Sequence, residues 1–123
     1  MEPVRMPERR AGRAGEERAA RFLESLGYQI LQRNFRTRRG EIDIVAQNGD
    51  RVAFVEVKSW NRFGPDQLGR SIDARKRGRI RSTSRAYLLR HPELQERRVG
   101  YDVILCSPGA DAPRHYENAF DGV

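Results

Sequence analysis

Two apolar runs joined by an Asn-Gly dipeptide constrain the fold of this chain more than any other feature. They lie in residues 40–60, GEIDIVAQNGDRVAFVEVKSW, and Asn-Gly between such runs is the strongest short signal for a β-hairpin. Strands this apolar are usually buried. These two nevertheless carry Asp43 on the first strand and Glu56 and Lys58 on the second. Because an unpaired buried charge is costly, the three charges must have a partner.

The geometry of a hairpin predicts which side chains share a face. A two-residue turn at Asn48-Gly49 pairs residue 47 with residue 50, which places Asp43 opposite Phe54. Asp43 and Glu56 are then diagonal neighbours, about 7 to 8 Å apart at the backbone. Since side chains alternate along a strand, one face carries Glu41, Asp43, Val45, Phe54, Glu56 and Lys58. A three-residue loop without a bulge would instead separate the acids onto opposite faces.

Two carboxylates on one face suit a hard, oxygen-preferring cation. Mg²⁺, with Mn²⁺ as a substitute, keeps several waters and needs only one or two protein carboxylates. His91, His115 and Cys106 lack the spacing of a zinc site. Bound metal can activate a water to attack phosphorus, and Lys58, two residues after Glu56, is placed to hold that water or to stabilise charge on the phosphate. The alternative is a salt-bridged hairpin face exposed to solvent.

The charge of the chain favours an anionic partner. The formal net charge is +7 and the isoelectric point about 10.5, which indicates nucleic acid first, with solubility alone as the alternative. Of the 24 basic residues, all but Lys58 and Lys76 are arginine. A predicted helix at 72–90 concentrates this charge. We predict nucleic-acid binding there by Arg75, Lys76, Arg77, Arg79 and Arg81, with a solvated face as the alternative for the arginines. Lys76 lies one turn before Ile80, on the inward face, where it would contact a phosphate or the active site; alternatively its stem packs and its ammonium reaches solvent.

The length of 123 residues fits one domain. Residues 1–12 are rich in Arg, Glu, Pro and Gly and are predicted to be a disordered arm, so the single domain spans 13–123. With one cysteine and no apolar run of about 18 residues, we predict a cytoplasmic protein without a membrane segment. The predicted elements are a helix at 13–26, strands at 28–35, 41–47 and 51–60, a helix at 72–90, a strand at 98–106 and a short element in the tail.

The first predicted helix carries a carboxylate on its buried face. Its apolar stripe is Ala19, Ala20, Leu23 and Leu26, and Glu16 precedes this stripe at helical spacing. The alternative role for Glu16 is a first-turn carboxylate that the helix dipole favours.

These residues together resemble a known family. Asp43 followed by Glu56-Val57-Lys58 resembles the PD-(D/E)XK nuclease pattern, with Ile42 at the proline position. The wider string GEERAARFLESLGYQIL, NFR, RRGEIDIVA, FVEVK, RFG, ARKRGRI, YDV and HYENAF resembles the bacterial YraN-like family, related by fold to archaeal Holliday junction resolvases. The resemblance implies an α/β, restriction endonuclease-like fold, with a mixed central sheet flanked by helices.

The resemblance also implies roles for individual residues. Asp43 and Glu56 would be metal ligands together with the backbone carbonyl of Val57. Lys58 would be catalytic, and Glu16 would be the helix carboxylate that completes the site, through water if it does not bind the metal directly. Asp102 and His115 match the family, but their spacing supports no role.

We therefore expect a magnesium-dependent nuclease that hydrolyses phosphodiester bonds in DNA, with branched DNA as a candidate substrate. One alternative is a nucleic-acid-binding module without turnover. Another is an RNA-processing nuclease, which would use the same site. Trp60 and Phe63, after Lys58, would stack on a base or become buried in a homodimer, with packing in the core as the favoured alternative for Trp60.

Overall fold

The computed structural model describes residues 5–59, 73–106 and 112–120, with side chains described from residue 14 onward except at position 59. These ranges form two α-helices, five β-strands and one short 3-10 helix at Pro92–Leu94. The α-helices and strands are α1 Arg5–Ser25, β1 Gln29–Arg36, β2 Glu41–Asn48, β3 Arg51–Ser59, α2 Ala74–Arg90, β4 Arg98–Cys106 and β5 Arg114–Tyr116.

The five strands form one mixed sheet in the order β1-β2-β3-β4-β5. β3 and β4 are parallel, and α2 lies in the connection between them, whereas the other neighbouring strands are antiparallel. The predicted α/β class and mixed sheet are thereby confirmed.

A helix covers each face of the sheet, and each face has its own apolar core. The core under α1 includes Ala19, Leu23, Ile44, Val55 and Ile104. The core under α2 includes Phe35, Val45, Phe54, Ile80 and Tyr87. Both faces of β2 and β3 are therefore buried, which explains why these strands read as nearly continuous apolar runs.

The hairpin register differs from the prediction by two residues. Asn48 pairs with Arg51 and Val45 with Phe54, so the loop is Gly49-Asp50 rather than Asn48-Gly49. The physical reason is the turn: Gly49 supplies a left-handed φ of 62° at the first central position, as a type II′ turn requires. The last pair is Ile44 with Val55, so continuing this register by one residue would bring Asp43 opposite Glu56.

The boundaries of α1 also differ from the prediction. The helix begins at Arg5, so residues 5–12, predicted as part of a disordered arm, form its first turns; the Arg, Glu and Ala in this segment favour helix. It ends at Ser25, and Gly27 has a left-handed φ of 98°. Leu26, predicted in the buried stripe, therefore lies past the helix and is 49% exposed.

Within the described ranges, no helix has both the length and the apolar character needed to cross a lipid bilayer. Trp60 and Phe63, for which base stacking or burial in a dimer was predicted, lie outside the described residues.

Candidate active site

Asp43 lies where β2 and β3 stop pairing. The last pair of their ladder is Ile44 with Val55. Two residues further along β3, the backbone N–H of Val57 donates a hydrogen bond of 2.8 Å to Asp43 Oδ2. The side chain of Asp43 thus replaces a backbone carbonyl at the open end of the hairpin. Val57 is still in the strand β3, where the N–H and C=O of one residue point to the same side, so the Val57 carbonyl also faces this opening.

Glu56 is held by two ammonium groups from different elements. Its Oε2 lies 2.8 Å from Lys76 Nζ and 3.4 Å from Lys58 Nζ. The side chains of Glu56 and Lys58 are only 12% and 15% exposed. These charges are therefore paired largely away from water, where such contacts are stronger than at the surface.

The capping of α2 positions Lys76. The Asp73 side chain accepts a hydrogen bond from the Lys76 backbone N–H at 2.9 Å, as an N-cap residue does, and so fixes the first turn of the helix. Ile80, one turn later, is buried against the sheet. Lys76 shares that inward side, which explains why its ammonium reaches Glu56. The sequence had placed Lys76 on this inward face, among the nucleic-acid-binding residues, with a phosphate or an active-site contact as its predicted role.

Glu16 approaches the same region from α1. Burial raises the pKa of Glu16; a hydrogen bond from Asn34 and the charge of Arg33 oppose this shift, and the carboxylates of Glu41 and Glu56 reinforce it. Asn34 adopts a left-handed φ of 55° in β1, a conformation that asparagine tolerates better than most residues. Glu16 is thus close enough to the other acids to interact with them electrostatically.

The site disfavours the ionised form of Asp43. Burial is the main cause that raises the pKa of Asp43 to about 8, and the Glu56 carboxylate raises it further. The hydrogen bond from the Val57 N–H lowers the pKa, whereas Glu16 and Glu41 raise it by smaller amounts. A cation beside Asp43 and Glu56 would remove this penalty.

The site shifts the pKa values of Lys58 and Lys76 in opposite directions. Burial lowers the pKa of Lys58, and neighbouring Lys76 lowers it further against the attraction of Glu56. Burial also lowers the pKa of Lys76, but the attraction of its ammonium to Glu56 outweighs burial, so the pKa of Lys76 is raised. Lys76 is therefore the firmer counter-ion of Glu56, while Lys58 holds its proton less tightly.

The donors fit a cation that requires few protein ligands. Within the described part of the chain, no group of three or more His, Cys, Asp or Glu side chains is arranged to hold a metal ion. The two facing carboxylates of Asp43 and Glu56, with the Val57 carbonyl, match the small set of protein ligands with which Mg²⁺ binds beside its waters. Glu16 would then act through a water rather than as a direct ligand.

The four predicted phosphate-binding arginines do not share one surface. On α2, Arg75 and Arg79 are exposed and occupy one flank, since they are four residues apart. Arg77 and Arg81 are half-buried and occupy the other flank, next to the side on which the Ser84 hydroxyl contacts β4.

A second polar cluster, for which the sequence predicts no role, ties β4 to β3 and β5. The fully buried carboxylate of Asp102 accepts two hydrogen bonds from Arg51, at 2.9 and 2.8 Å. It also contacts His115 Nε2 at 2.8 Å and accepts the Asn118 backbone N–H at 2.9 Å. Gly100 leaves the space that the Arg51 guanidinium occupies, because a Cβ there would overlap it.

Asp102 is thus satisfied as a structural anion. Burial raises the pKa of Asp102, but its hydrogen bonds with His115, Arg51 and Asn118 outweigh burial and hold the pKa below its usual value.

The other histidine and the cysteine are also engaged in packing. His91 stacks on Tyr87 with ring centroids 4.0 Å apart, and the buried Cys106 thiol contacts the Gly15 carbonyl.

Comparison with known proteins places the chain in a family. The model of the uncharacterised protein family UPF0102 matches residues 15–106. A UPF0102 protein of Rhodopseudomonas palustris is 46% identical over 112 residues, which cover 91% of this chain and 84% of the relative. One from Bradyrhizobium sp. is 42% identical over 119 residues, 97% of this chain and 85% of the relative.

A relative from a third genus gives a similar match. A UPF0102 protein of Persephonella marina is 39% identical over 110 residues, which cover 89% of this chain and 92% of the relative. The predicted resemblance to the YraN-like family is thereby confirmed. The chain belongs to the UPF0102 family.

Proposed function

We propose that this protein is a magnesium-dependent nuclease with a restriction endonuclease-like fold, which hydrolyses phosphodiester bonds in DNA and takes branched DNA as a candidate substrate. One observation carries the proposal. At the open end of the β2–β3 hairpin, Asp43 is hydrogen-bonded to Val57, the residue after Glu56, and the ammonium of Lys58 lies 3.4 Å from Glu56. The cost of ionising Asp43 there is expected of a site that works with a cation.

The chemistry follows from what each group can supply. A divalent cation held by Asp43, Glu56 and the Val57 carbonyl would polarise the phosphodiester and activate a water. The water oxygen forms the new bond to phosphorus, the bond to the leaving oxygen breaks, and the products are a phosphate monoester and an alcohol. Lys58 Nζ can hold the attacking water or donate hydrogen bonds to the phosphate oxygens.

Lys76 contributes to the same site through Glu56. Because its ammonium lies nearer to Glu56 than that of Lys58 does, it can maintain the carboxylate's position while Lys58 contacts the water or substrate. Lys76 is thus a positioning residue in this proposal.

One observation favours a binding module without turnover as a second candidate. Lys58 and Lys76 together compensate Glu56 without any metal. Such a site could be stable as a set of ion pairs, with the basic residues of α2 providing the affinity for nucleic acid. An RNA nuclease would use the same phosphodiester chemistry, so the choice between DNA and RNA depends on the substrate test.

The experiment is a cleavage assay on a panel of end-labelled substrates: a four-way junction, a flap, a duplex, single-stranded DNA and RNA. Each is incubated with Mg²⁺, with Mn²⁺ and with chelator. We expect metal-dependent cleavage of DNA, strongest on the branched forms. Tight binding without cleavage in either metal would favour the binding module, and cleavage confined to RNA would replace the DNA assignment.

Homodimer formation remains a prediction. Sedimentation of the protein, alone and with a four-way junction, would measure it directly.

A further inference from the structure

The turn between β1 and β2 packs directly against α2. A Cβ at Gly40 would lie 3.0 Å from Thr83 Oγ1 and 3.3 Å from Arg79 Cβ, which is tighter than ordinary van der Waals contact. The residue at this position therefore has to be small for the turn to lie so close to the helix.

Hydrogen bonds within the turn give it a defined shape. The Thr37 N–H donates to the Gly40 carbonyl at 2.8 Å, and the Arg39 N–H donates to Thr37 Oγ1 at 3.1 Å. The intervening Arg38 and Arg39 are both exposed. A closed turn docked on a helix thus presents two guanidinium groups at a fixed place.

The flank of α2 beside this turn is basic as well. Arg79, whose Cβ and carbonyl oxygen lie against Gly40, shares its flank with Arg75. Arg90, further along α2, also faces β1, since its guanidinium lies 5.5 Å from the centre of the Phe35 ring. The packing of one glycine thereby brings arginines from two separate segments side by side.

We infer that Arg38, Arg39, Arg75 and Arg79 form one basic surface, which binds the phosphate backbone of the nucleic acid beside the candidate active site. The inference rests on the proposed function for the identity of the ligand. The turn leads into Asp43 three residues after Gly40, and on α2 the site residue Lys76 lies next to Arg75.

The chemistry of these side chains specifies the part of the nucleic acid that they contact. Guanidinium groups bind phosphate oxygens through two parallel hydrogen bonds. The hydrogen bond from the Lys76 N–H lowers the pKa of the Asp73 carboxylate. Arg75 and Arg79 are near enough to Asp73 for their charges to help lower that pKa, but all four arginine side chains remain exposed. They carry charge but no aromatic ring, so we expect contacts with phosphates rather than stacking on bases. Binding should then be independent of sequence and strongly dependent on salt.

The test measures affinity for duplex and four-way-junction DNA by fluorescence anisotropy, in chelator, over a range of salt concentrations. The turn pair, Arg38→Gln with Arg39→Gln, should reduce the slope of log affinity against log salt on duplex DNA by about 0.9 for each phosphate that the variant no longer neutralises. The helix pair, Arg75→Gln with Arg79→Gln, should do the same. If the slope changes only for the helix pair, or for neither, the joined surface does not exist.

A matched control removes the same charge elsewhere. Arg97 and Arg98 are exposed and lie at the start of β4, beside the β2–β3 turn and away from the open end of the hairpin. Arg97→Gln with Arg98→Gln should leave the slope unchanged. An equal reduction of the slope in this control would show that net charge, rather than this surface, governs binding.

Gly40→Ala tests the placement without changing any charge. The added methyl group requires a shift of a few tenths of an ångström between the turn and α2, so we expect a small fall in affinity while circular dichroism and thermal unfolding report a folded protein. If Gly40→Ala does not fold, the turn pair decides the question, because its side chains are exposed. Unchanged affinity in a folded Gly40→Ala protein would contradict the role of this contact.

Failure of this inference is distinguishable from failure of the proposed function. Binding that follows the predicted slopes, without cleavage in Mg²⁺ or Mn²⁺, would leave the surface in place and remove the nuclease. Cleavage by the wild-type protein, together with an unchanged slope in the turn-pair variant, would leave the nuclease in place and remove the surface.

Discussion

Asp43 and Val57 are joined by a hydrogen bond of 2.8 Å from the Val57 backbone N–H to the Asp43 carboxylate, at the point where the β2–β3 ladder ends. This bond fixes Asp43 at the open end of the hairpin. Burial and the Glu56 carboxylate nevertheless raise the pKa of Asp43 to about 8. The fold thus holds in place a carboxylate that is costly to ionise, as expected if a cation normally balances it.

Without metal, Asp43→Asn should stabilise the protein in a pH-dependent way. Because the folded-state pKa of Asp43 is raised, its ionisation destabilises the fold progressively as pH rises from about 4, near the unfolded value, to about 8. The gain in melting temperature from Asp43→Asn in chelator should therefore be larger at pH 8 than at pH 5. The exposed Glu96→Gln is the control. A stability loss from Asp43→Asn at both pH values would identify Asp43 as a structural anion.

Divalent metal should stabilise the wild-type protein. A ligand that binds only the folded state at 100 times its dissociation constant contributes about 2.7 kcal/mol, so Mg²⁺ should raise the melting temperature at low ionic strength. Asp43→Asn and Glu56→Gln should abolish the increase, whereas Glu96→Gln should retain it. An equal increase in all four proteins would mean that Mg²⁺ acts elsewhere. This measurement is independent of cleavage.

Lys58→Arg should separate catalysis from binding. Arginine retains the positive charge but brings a larger planar group to a position that is 15% exposed. We expect cleavage to fall while affinity for DNA, measured by anisotropy in chelator, stays within error of wild type. A loss of several kcal/mol in the free energy of unfolding would contradict this account and indicate a buried structural ion pair.

Asp102→Asn should be strongly destabilising. It leaves the Arg51 guanidinium, whose side chain is 13% exposed, without its carboxylate, and breaking a buried pair in this way costs about 3 to 5 kcal/mol. Asp50→Asn is the matched control: its partner Arg98 is 77% exposed, so the expected cost is about 0 to 1 kcal/mol. Urea unfolding measures both. Similar costs for the two variants would rule out a structural role for the cluster.

The pH dependence of Asp102 has the opposite sign to that of Asp43. Because its hydrogen bonds hold the folded-state pKa below the usual value, Asp102 stabilises the fold above the unfolded pKa. That contribution is lost as pH falls through the folded pKa. Wild type should therefore lose stability on acidification below about pH 4, near the unfolded pKa, and Asp102→Asn should lose less.

The sequence was sufficient to predict that Glu56 lies on the same side of the sheet as Val45 and Phe54, the side of α2. Alternation preserves that side in any register that differs by two residues, but Ile42 and Ile44 pack in different cores, so strict alternation ends next to Asp43. The predicted register was wrong. The register depends on which residue, Asn48 or Gly49, takes the first central position of the turn, and backbone twist decides this. The apolar stripe of α1 was right up to Leu23, and failed at Leu26 because the helix ends first.

Contacts between distant segments could not be predicted from local patterns. The Asp102–Arg51 pair depends on parallel pairing of β3 with β4, and these residues are 51 positions apart. The contact of Lys76 with Glu56 and the packing of Gly40 on α2 depend on how the helix docks on the sheet. An arginine-rich helix also gives no local signal to show which arginines share a flank with the β1–β2 turn.

The central claim is that Asp43 and Glu56 together support metal-dependent hydrolysis of DNA. Its most direct test is the initial rate of Mg²⁺-dependent cleavage of a labelled four-way junction by wild type, Asp43→Asn, Glu56→Gln and Glu96→Gln, purified in parallel. We expect wild type and Glu96→Gln to cleave at the same rate, and both site variants to fall to the rate without protein while still binding the junction. Cleavage by Asp43→Asn at the wild-type rate would contradict the claim.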